Sequence, residues 1–233
     1  MQSLKNTFSS TLHLFYPHVC TGCGSDLLEE NNLLCLHCIN DLPQTGFAQY
    51  NNNPVEKIFW GRIPVTAAHS EFYFAKETLI QHLIHQLKYK NNTAIGFYMG
   101  EMMGRSLLHS NRFSEIDYLV PLPLYPDKER KRGYNQAAII CNGVSEIMNI
   151  PVITGNVTRR RFTETQTRKH RTERWENVAG SFVVKNPAAF KGKSVLLIDD
   201  VVTTGATLEA CGNALMQIEG VQLYITALAH AAK

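Results

Sequence analysis

Asp199 and Asp200 stand side by side immediately after a short apolar run, Val195, Leu196, Leu197 and Ile198. Two adjacent carboxylates at the end of a strand buried on both faces are costly unless cations or hydrogen-bond donors meet them. Thr203-Thr204-Gly205-Ala206-Thr207 follows, and then Leu208, Cys211, Leu215 and Ile218 recur at helical spacing. A loop of small residues lets its backbone wrap an anion closely. The helix that starts there adds N–H donors and a positive dipole end, and the Thr hydroxyls add further donors. Ionised carboxylates only accept hydrogen bonds, so the Asp pair cannot serve that anion and suits vicinal hydroxyls, with or without a metal ion. A one-phosphate pocket beside acceptors for two hydroxyls describes a ribose 5-phosphate group. The loop is not a Walker motif, because no Gly-Lys-Ser/Thr closes it.

A second cluster is Cys20-x-x-Cys23 followed by Cys35-x-x-Cys38. Two such knuckles signal a tetrahedral thiolate site, usually for zinc. Two disulfides, an iron–sulfur cluster, and His18 or His37 as competing ligands are weaker readings, because reducing compartments keep thiols free and four thiolates complete the site. Cys141 and Cys211 fall in helical patterns and read as small core residues.

The third cluster is basic. Between residues 159 and 174 stand Arg159, Arg160, Arg161, Arg168, Lys169, Arg171 and Arg174 against only Glu164 and Glu173, a net +5 in a chain of net +3. The segment is poor in aliphatic residues and predicts a mobile loop. It suits either a pyrophosphate group or the phosphate backbone of a nucleic acid, with Phe162 and Trp175 at its flanks. A smaller group, Arg130, Lys131 and Arg132, has Asp127 and Glu129 interleaved and reads equally well as a solvated turn.

The length of 233 residues suits one α/β domain with a small appendage. The expected division is 1–48 for an amphipathic helix (Leu4, Phe8, Leu12, Phe15) and the cysteine finger, and 55–233 for the larger domain, with residues 41–54 as a polar linker. Spaced rather than continuous apolar residues at the start exclude a secretory signal, and no stretch predicts membrane insertion, so a cytoplasmic location is expected. Residues 63–74 predict a strand, and Leu79 to Leu87 and Ile95 to Leu108 predict helices. In the second helix Gly96, Gly100 and Gly104 at every fourth position predict close packing. Tyr118, Leu119 and Val120 form a short strand running into Pro121-Leu122-Pro123, and Gly133-Tyr134-Asn135-Gln136-Ala137 opens another helix.

The stretch from Val195 to Thr207 resembles the ligand-binding motif of the type I phosphoribosyltransferases, which bind phosphoribosyl pyrophosphate (PRPP). That resemblance implies the fold of this class, a parallel sheet flanked by helices. It implies that Asp199 and Asp200 hold the ribose hydroxyls with Mg2+ and that Thr203, Thr204, Gly205, Ala206 and Thr207 hold the 5-phosphate. It also implies that Pro121, Leu122 and Pro123 with Lys88 face the pyrophosphate, and that the basic loop closes over PRPP. The motifs VPLP and RKRGYNQA, then Thr165-Gln166-Thr167, Arg171, Arg174, Asn177-Val178 and Gly180-Ser181-Phe182, resemble the ComF family (ComFC and GntX-like proteins) over nearly the whole chain. This adds Arg130, Arg132, Asn135 and Gln136 as further site candidates. It implies a structural zinc finger and an association with DNA uptake during natural transformation. Two functions follow from the resemblances. One is Mg-dependent phosphoribosyl transfer from PRPP to an unknown acceptor. The other is a non-catalytic, PRPP-responsive protein that binds single-stranded DNA and serves the uptake machinery. No residue set for recognising a purine, a pyrimidine or an ammonia source can be read, and no N-terminal glutaminase cysteine is present.

Overall fold

The strand carrying the acidic pair lies inside the sheet. A computed structural model of the chain describes residues 19–26, 28, 32–160 and 181–231. Two compact units divide it, Met1–Leu42 and Pro43–Lys233. In the larger unit, β1 (Ala67–Phe74), β2 (Tyr118–Pro121), β5 (Ser194–Val202) and β6 (Gln222–Ala231) form one sheet in the order β1-β6-β5-β2. All three pairings are parallel. β5 and β6 are buried along most of their length, which explains their continuous apolar composition. A short ladder of β3 (Val157–Arg159) and β4 (Phe182–Val184) pairs antiparallel, apart from this sheet.

The connections determine where a ligand can sit. α3 (Leu79–Tyr89) and α4 (Thr93–Leu108) carry the chain from β1 to β2, at the other side of the sheet. After α5 (Pro126–Arg132) and α6 (Gln136–Met148), Val152 bridges Leu119 in parallel, so the chain steps outward from β2. It then returns to β5, and α7 (Ala206–Met216) leads inward to β6. The direction of winding therefore reverses between β2 and β5. The carboxyl ends of two parallel strands that part in this way leave the crevice where open α/β sheets bind ligands.

The expected glycine packing is found. A Cβ on Gly100 would lie 2.3 Å from the Ile140 carbonyl oxygen, and one on Gly143 would lie 2.1 Å from that of Phe97. Only glycine lets α4 and α6 approach this closely. Cys141 and Cys211 are buried in the core, as read from their helical spacing, and burial pushes both thiols up.

Two expectations differ. The segment read as a linker is packed. Phe47 and Ala48 are buried, and Asn53 caps α2 (Pro54–Phe59) through Oδ1 while its amide donates to the Ala68 carbonyl at 2.9 Å. Its turn-rich composition reflects a cap and a 3-10 turn. Arg130, Lys131 and Arg132, read equally as site cations or as a solvated turn, are the last residues of the helix α5, which has Pro126 in its first turn and Gly133 at φ 83° after its last. The amphipathic segment at the N-terminus lies outside the described residues. No helix among the described residues is long and apolar enough to cross a membrane.

Candidate functional site

β5 does not stop at Ile198 as its composition suggests. On one side its pairing with β2 ends at Pro121↔Ile198, and Leu122 N–H closes the ladder on the Ile198 carbonyl at 2.8 Å. On the other side pairing with β6 runs on to Val202↔His230. Asp199 and Asp200 are therefore strand residues with a sheet neighbour on one edge only, and they border the crevice left by β2. Successive strand residues face opposite ways. Asp200 accepts from Lys88 Nζ of α3 at 2.9 Å, while the charge of Asp199 is felt by Cys211 of α7. The backbone N–H of Asp200 donates to Asp199 Oδ1 at 2.8 Å.

The electrostatics of the pair are unequal. Burial, and then the neighbouring charge of Asp200, push the Asp199 carboxyl up to about 7. The Asp200 N–H, Lys88 and Arg159 pull in the opposite direction without cancelling the rise. Asp199 is thus a carboxyl that changes charge near neutrality.

After Val202 the backbone leaves the sheet through Thr203 and Thr204, both exposed, and turns at Gly205 with φ 71°. Glycine is required there twice over. The left-handed conformation disfavours a side chain, and a Cβ would lie 2.6 Å from Ile58 Cγ2 and 2.9 Å from Phe59 Cε1 of α2. No side chain among the described residues caps α7, which leaves its first-turn N–H groups as donors beside Thr207. Arg62 holds this loop in place. It donates to the Thr204 carbonyl at 2.8 Å and to the Ile58 carbonyl at 3.0 Å, and it pairs with Glu209 of α7. Sequence reasoning missed Arg62, because its loop partner lies 142 residues away and no local pattern marks it.

Across the crevice, Pro121 ends β2 and Leu122 and Pro123 follow it. Asn135 caps α6 through Oδ1 and donates through Nδ2 to the Leu122 carbonyl at 3.0 Å, which ties this turn to the helix start. Gln136 is buried; its Oε1 accepts from Arg132 at 2.6 Å, and its Nε2 has no partner among the described residues. Arg132 lies over Tyr89, 5.4 Å from the ring centroid, and Tyr134 Oη donates to the Leu87 carbonyl beside Lys88. Lys88, Arg132, Asn135 and Gln136 are thus tied together by short links through α3 and α6. Arg130 is not part of this group; it pairs with Asp127 on the exposed side of α5 at 2.6 Å.

Of the basic segment, Arg159 and Arg160 are described, while Arg161, Arg168, Lys169, Arg171 and Arg174 lie outside the described residues. Arg159 ends β3. Its guanidinium stacks 3.9 Å from the Tyr125 ring centroid and 5.2 Å from that of Phe182, with Nε buried and without a hydrogen-bond partner among the described residues. Its charge acts on Asp199, as the downward pull on that carboxyl shows. Tyr125 had no functional signature in the sequence, and Phe182 entered only through the Gly180-Ser181-Phe182 motif.

In the smaller unit the sulfur atoms of Cys20, Cys23, Cys35 and Cys38 all lie within 4.8 Å of one another, and the four thiols are free. Cys23 and Cys35 Sγ are 3.7 Å apart, close to the edge of about 3.8 Å expected of a tetrahedron with ~2.3 Å metal–sulfur bonds. Burial acts to raise the Cys20 thiol, but N–H donors from Cys23, Cys35 and Gly22 outweigh it and bring it down to about 6. Burial and the surrounding thiols push Cys38 far up. A thiolate forms readily at Cys20, and Cys38 does not ionise beside it unless a cation compensates the charge, so the donor set fits a metal ion such as zinc.

Residues 135–233 match the phosphoribosyl transferase domain family. The chain is 26% identical over 227 residues to competence protein F of Haemophilus influenzae, covering 94% of this chain and 93% of that protein. It is 30% identical over 138 residues to the DNA utilization protein YhgH of Escherichia coli, covering 58% of this chain and 60% of that protein. Over 99 residues it is 36% identical to competence protein ComFC of Bacillus subtilis, 42% of this chain and 38% of that protein. The parallel sheet, the phosphoribosyl transferase match, the competence-protein relatives and the four-cysteine cluster together make the chain similar to the proteins of the ComF family.

Proposed function

We propose that the larger unit binds PRPP and transfers its phosphoribosyl group to an acceptor. The observation that carries this reading is the acidic pair at the winding reversal, followed directly by the Thr/Gly turn and the uncapped start of α7. Asp199 and Asp200 accept from the two ribose hydroxyls. Thr203, Thr204 and Thr207, with the N–H groups around Gly205, donate to the 5-phosphate. Pro121, Leu122, Pro123, Lys88 and the Arg-rich segment face the pyrophosphate. In the transfer, an acceptor lone pair forms a bond to the anomeric carbon, and the bond to the pyrophosphate oxygen breaks with its electrons leaving on that oxygen. Mg2+ brought with PRPP supplies charge neutralisation to the leaving pyrophosphate. Lys88 and Arg159, already close enough to act on the Asp pair, stabilise the same negative charge in a site partly shielded from water.

A second reading is that the protein senses PRPP without turnover and handles single-stranded DNA during uptake in the cytoplasm; the names competence protein F and DNA utilization protein among its relatives support a role with DNA. One experiment separates the two. PRPP with Mg2+ at about a hundred times its dissociation constant should stabilise the fold by ~2.7 kcal/mol, or roughly 5–10 °C for a chain of this size. Pyrophosphate release across a panel of nitrogenous acceptors then reports catalysis. A shift with release supports transfer, and a shift without release supports the sensor. A melting point indifferent to PRPP sinks both.

For the smaller unit we assign zinc to the four thiols, as a structural ion. Elemental analysis should find about one zinc per chain. Cys35→Ser should release it and lower the stability of residues 19–42 while the melting of the larger unit stays in place. Protein purified under reducing conditions with no bound metal would remove the assignment.

A further inference from the structure

An open cavity of 330 Å3 lies on the larger unit, lined by Asn51, Asn52, Glu56, Phe59, Trp60, Ile63, Val65, Thr66 and Arg112. We propose that it is a nucleobase-binding site, separate from the acidic pair and not dependent on the PRPP reading. Its volume sits at the small end of the range for ligand pockets, roughly 300–1,000 Å3, which suits a base or a nucleoside.

The charges at the cavity are already satisfied. Glu56 Oε1 accepts from Arg112 Nη2 and, at 3.3 Å, from Ala68 N–H, and Oε2 accepts from Asn52 N–H at 2.5 Å. Arg112 spends its other terminal nitrogen on the carbonyls of Tyr50, at 2.8 Å, and Phe47, at 3.4 Å. Both side chains are largely shielded from water, at 17% and 12% exposure. A balanced, part-buried ion pair does not recruit an anion, so a phosphate or a carboxylate is the wrong ligand. The groups left to recognise a ligand are neutral. The amides of Asn51 and Asn52 and the hydroxyl of Thr66 have no partner among the described residues. The remaining lining is aromatic and aliphatic, with Trp60 58% exposed.

An exposed indole, two amides and a hydroxyl around a small cavity of mostly polar lining match a flat, uncharged ring with donors and acceptors on its edge. Asn reads adenine bidentately, and every base offers a face to an aromatic side chain. The occupant is therefore a nucleobase. It comes either free, as base or nucleoside, or from a single strand. The cavity is a built feature. Asn53 and Glu56 fix the start of α2, and Asn52 is held at φ 59° beneath the Glu56 carboxylate.

The test uses the full chain carrying Trp175→Phe, so that Trp60 is its only indole. Its fluorescence is titrated with adenosine, with cytidine, with a short oligodeoxyadenylate and with the abasic strand of the same length. Saturable quenching by a nucleoside supports a free base as the source. Quenching by the oligodeoxyadenylate alone supports a strand. In either case Asn52→Gly, which keeps the backbone conformation, and Thr66→Val, which keeps the volume, should each weaken binding about fivefold, the worth of one hydrogen bond. Unchanged melting points confirm that these variants fold. The site is overturned if no probe quenches at millimolar concentration, if the abasic strand quenches as well as the oligodeoxyadenylate, or if both variants bind like the parent.

Discussion

Replacing Asp199 and Asp200 together by Asn removes the PRPP-induced stabilisation and leaves the ligand-free protein folded. The two changes act in opposite directions on the fold, so their sum is small. Asp199 is a carboxyl that the fold burdens, because burial and the adjacent charge disfavour its ionised form. Its amide isostere carries no such penalty. Asp200 is a partner, and its loss strips Lys88 of an ion pair at 2.9 Å in a part-buried setting. Binding has no such compensation, because an amide presents one acceptor where a carboxylate presents two charged ones, and both hydroxyl contacts weaken at once. A hundredfold loss of affinity at a ligand concentration that gave ~2.7 kcal/mol leaves about 0.4 kcal/mol of stabilisation, within the scatter of a melting experiment. Thermal shift on parent and double variant, with and without PRPP and Mg2+, measures it. A double variant that keeps the full shift would take the diol contact away from these residues and with it the proposed site.

The readable parts of this molecule are those specified by neighbours in sequence. The apolar run before Asp199, the 3.6-residue spacing of Leu79 to Leu87 and the four-residue spacing of Gly96, Gly100 and Gly104 each name an element, because burial imposes that pattern locally. The length of β5 was not readable. It continues through Asp199 and Asp200 because β6 still pairs with it after β2 has ended, and strand pairing is decided by residues far along the chain. α5 escaped notice because none of its residues is buried and it carries no apolar stripe. Its Pro126 and Gly133 were the available signals. Asn53-Pro54 followed by Glu56 is likewise a helix-start signature that a run of three asparagines disguised as a linker. Arg62 and Tyr125 had no local signature at all, and the stacking of Arg159 on Tyr125 and Phe182 could not be read from the basic cluster or the Gly-Ser-Phe motif, since each contact depends on a partner that only the fold brings near.

PRPP binding should weaken as pH falls from 8 to 5, while the ligand-free fold should show the reverse linkage at Asp199. This carboxyl titrates near 7 in the folded chain and near 4 when unfolded. Between those values the folded state holds a proton that the unfolded state has released. The contribution of the group to stability is therefore complete below about pH 4 and is lost as pH rises through about 7. Asp199→Asn should consequently gain steadily on the parent in melting point as pH rises from 5, with no further gain above about pH 7. Ligand binding runs the other way, because an acceptor for a ribose hydroxyl must be ionised to be charged. Below pH 7 a proton must be displaced, and affinity falls about tenfold per unit, so by pH 5 on the order of a hundredfold is lost. PRPP's own phosphates also gain protons near pH 6, so the affinity profile alone does not isolate Asp199. The pair of readouts does, since the melting comparison contains no ligand. Calorimetric titration of PRPP with Mg2+ at pH 5, 6, 7 and 8, beside melting curves of the ligand-free parent and Asp199→Asn at the same pH values, gives both. A melting difference that stays constant over this range would show that Asp199 does not change charge near neutrality, and the pH dependence of binding would then belong to the ligand.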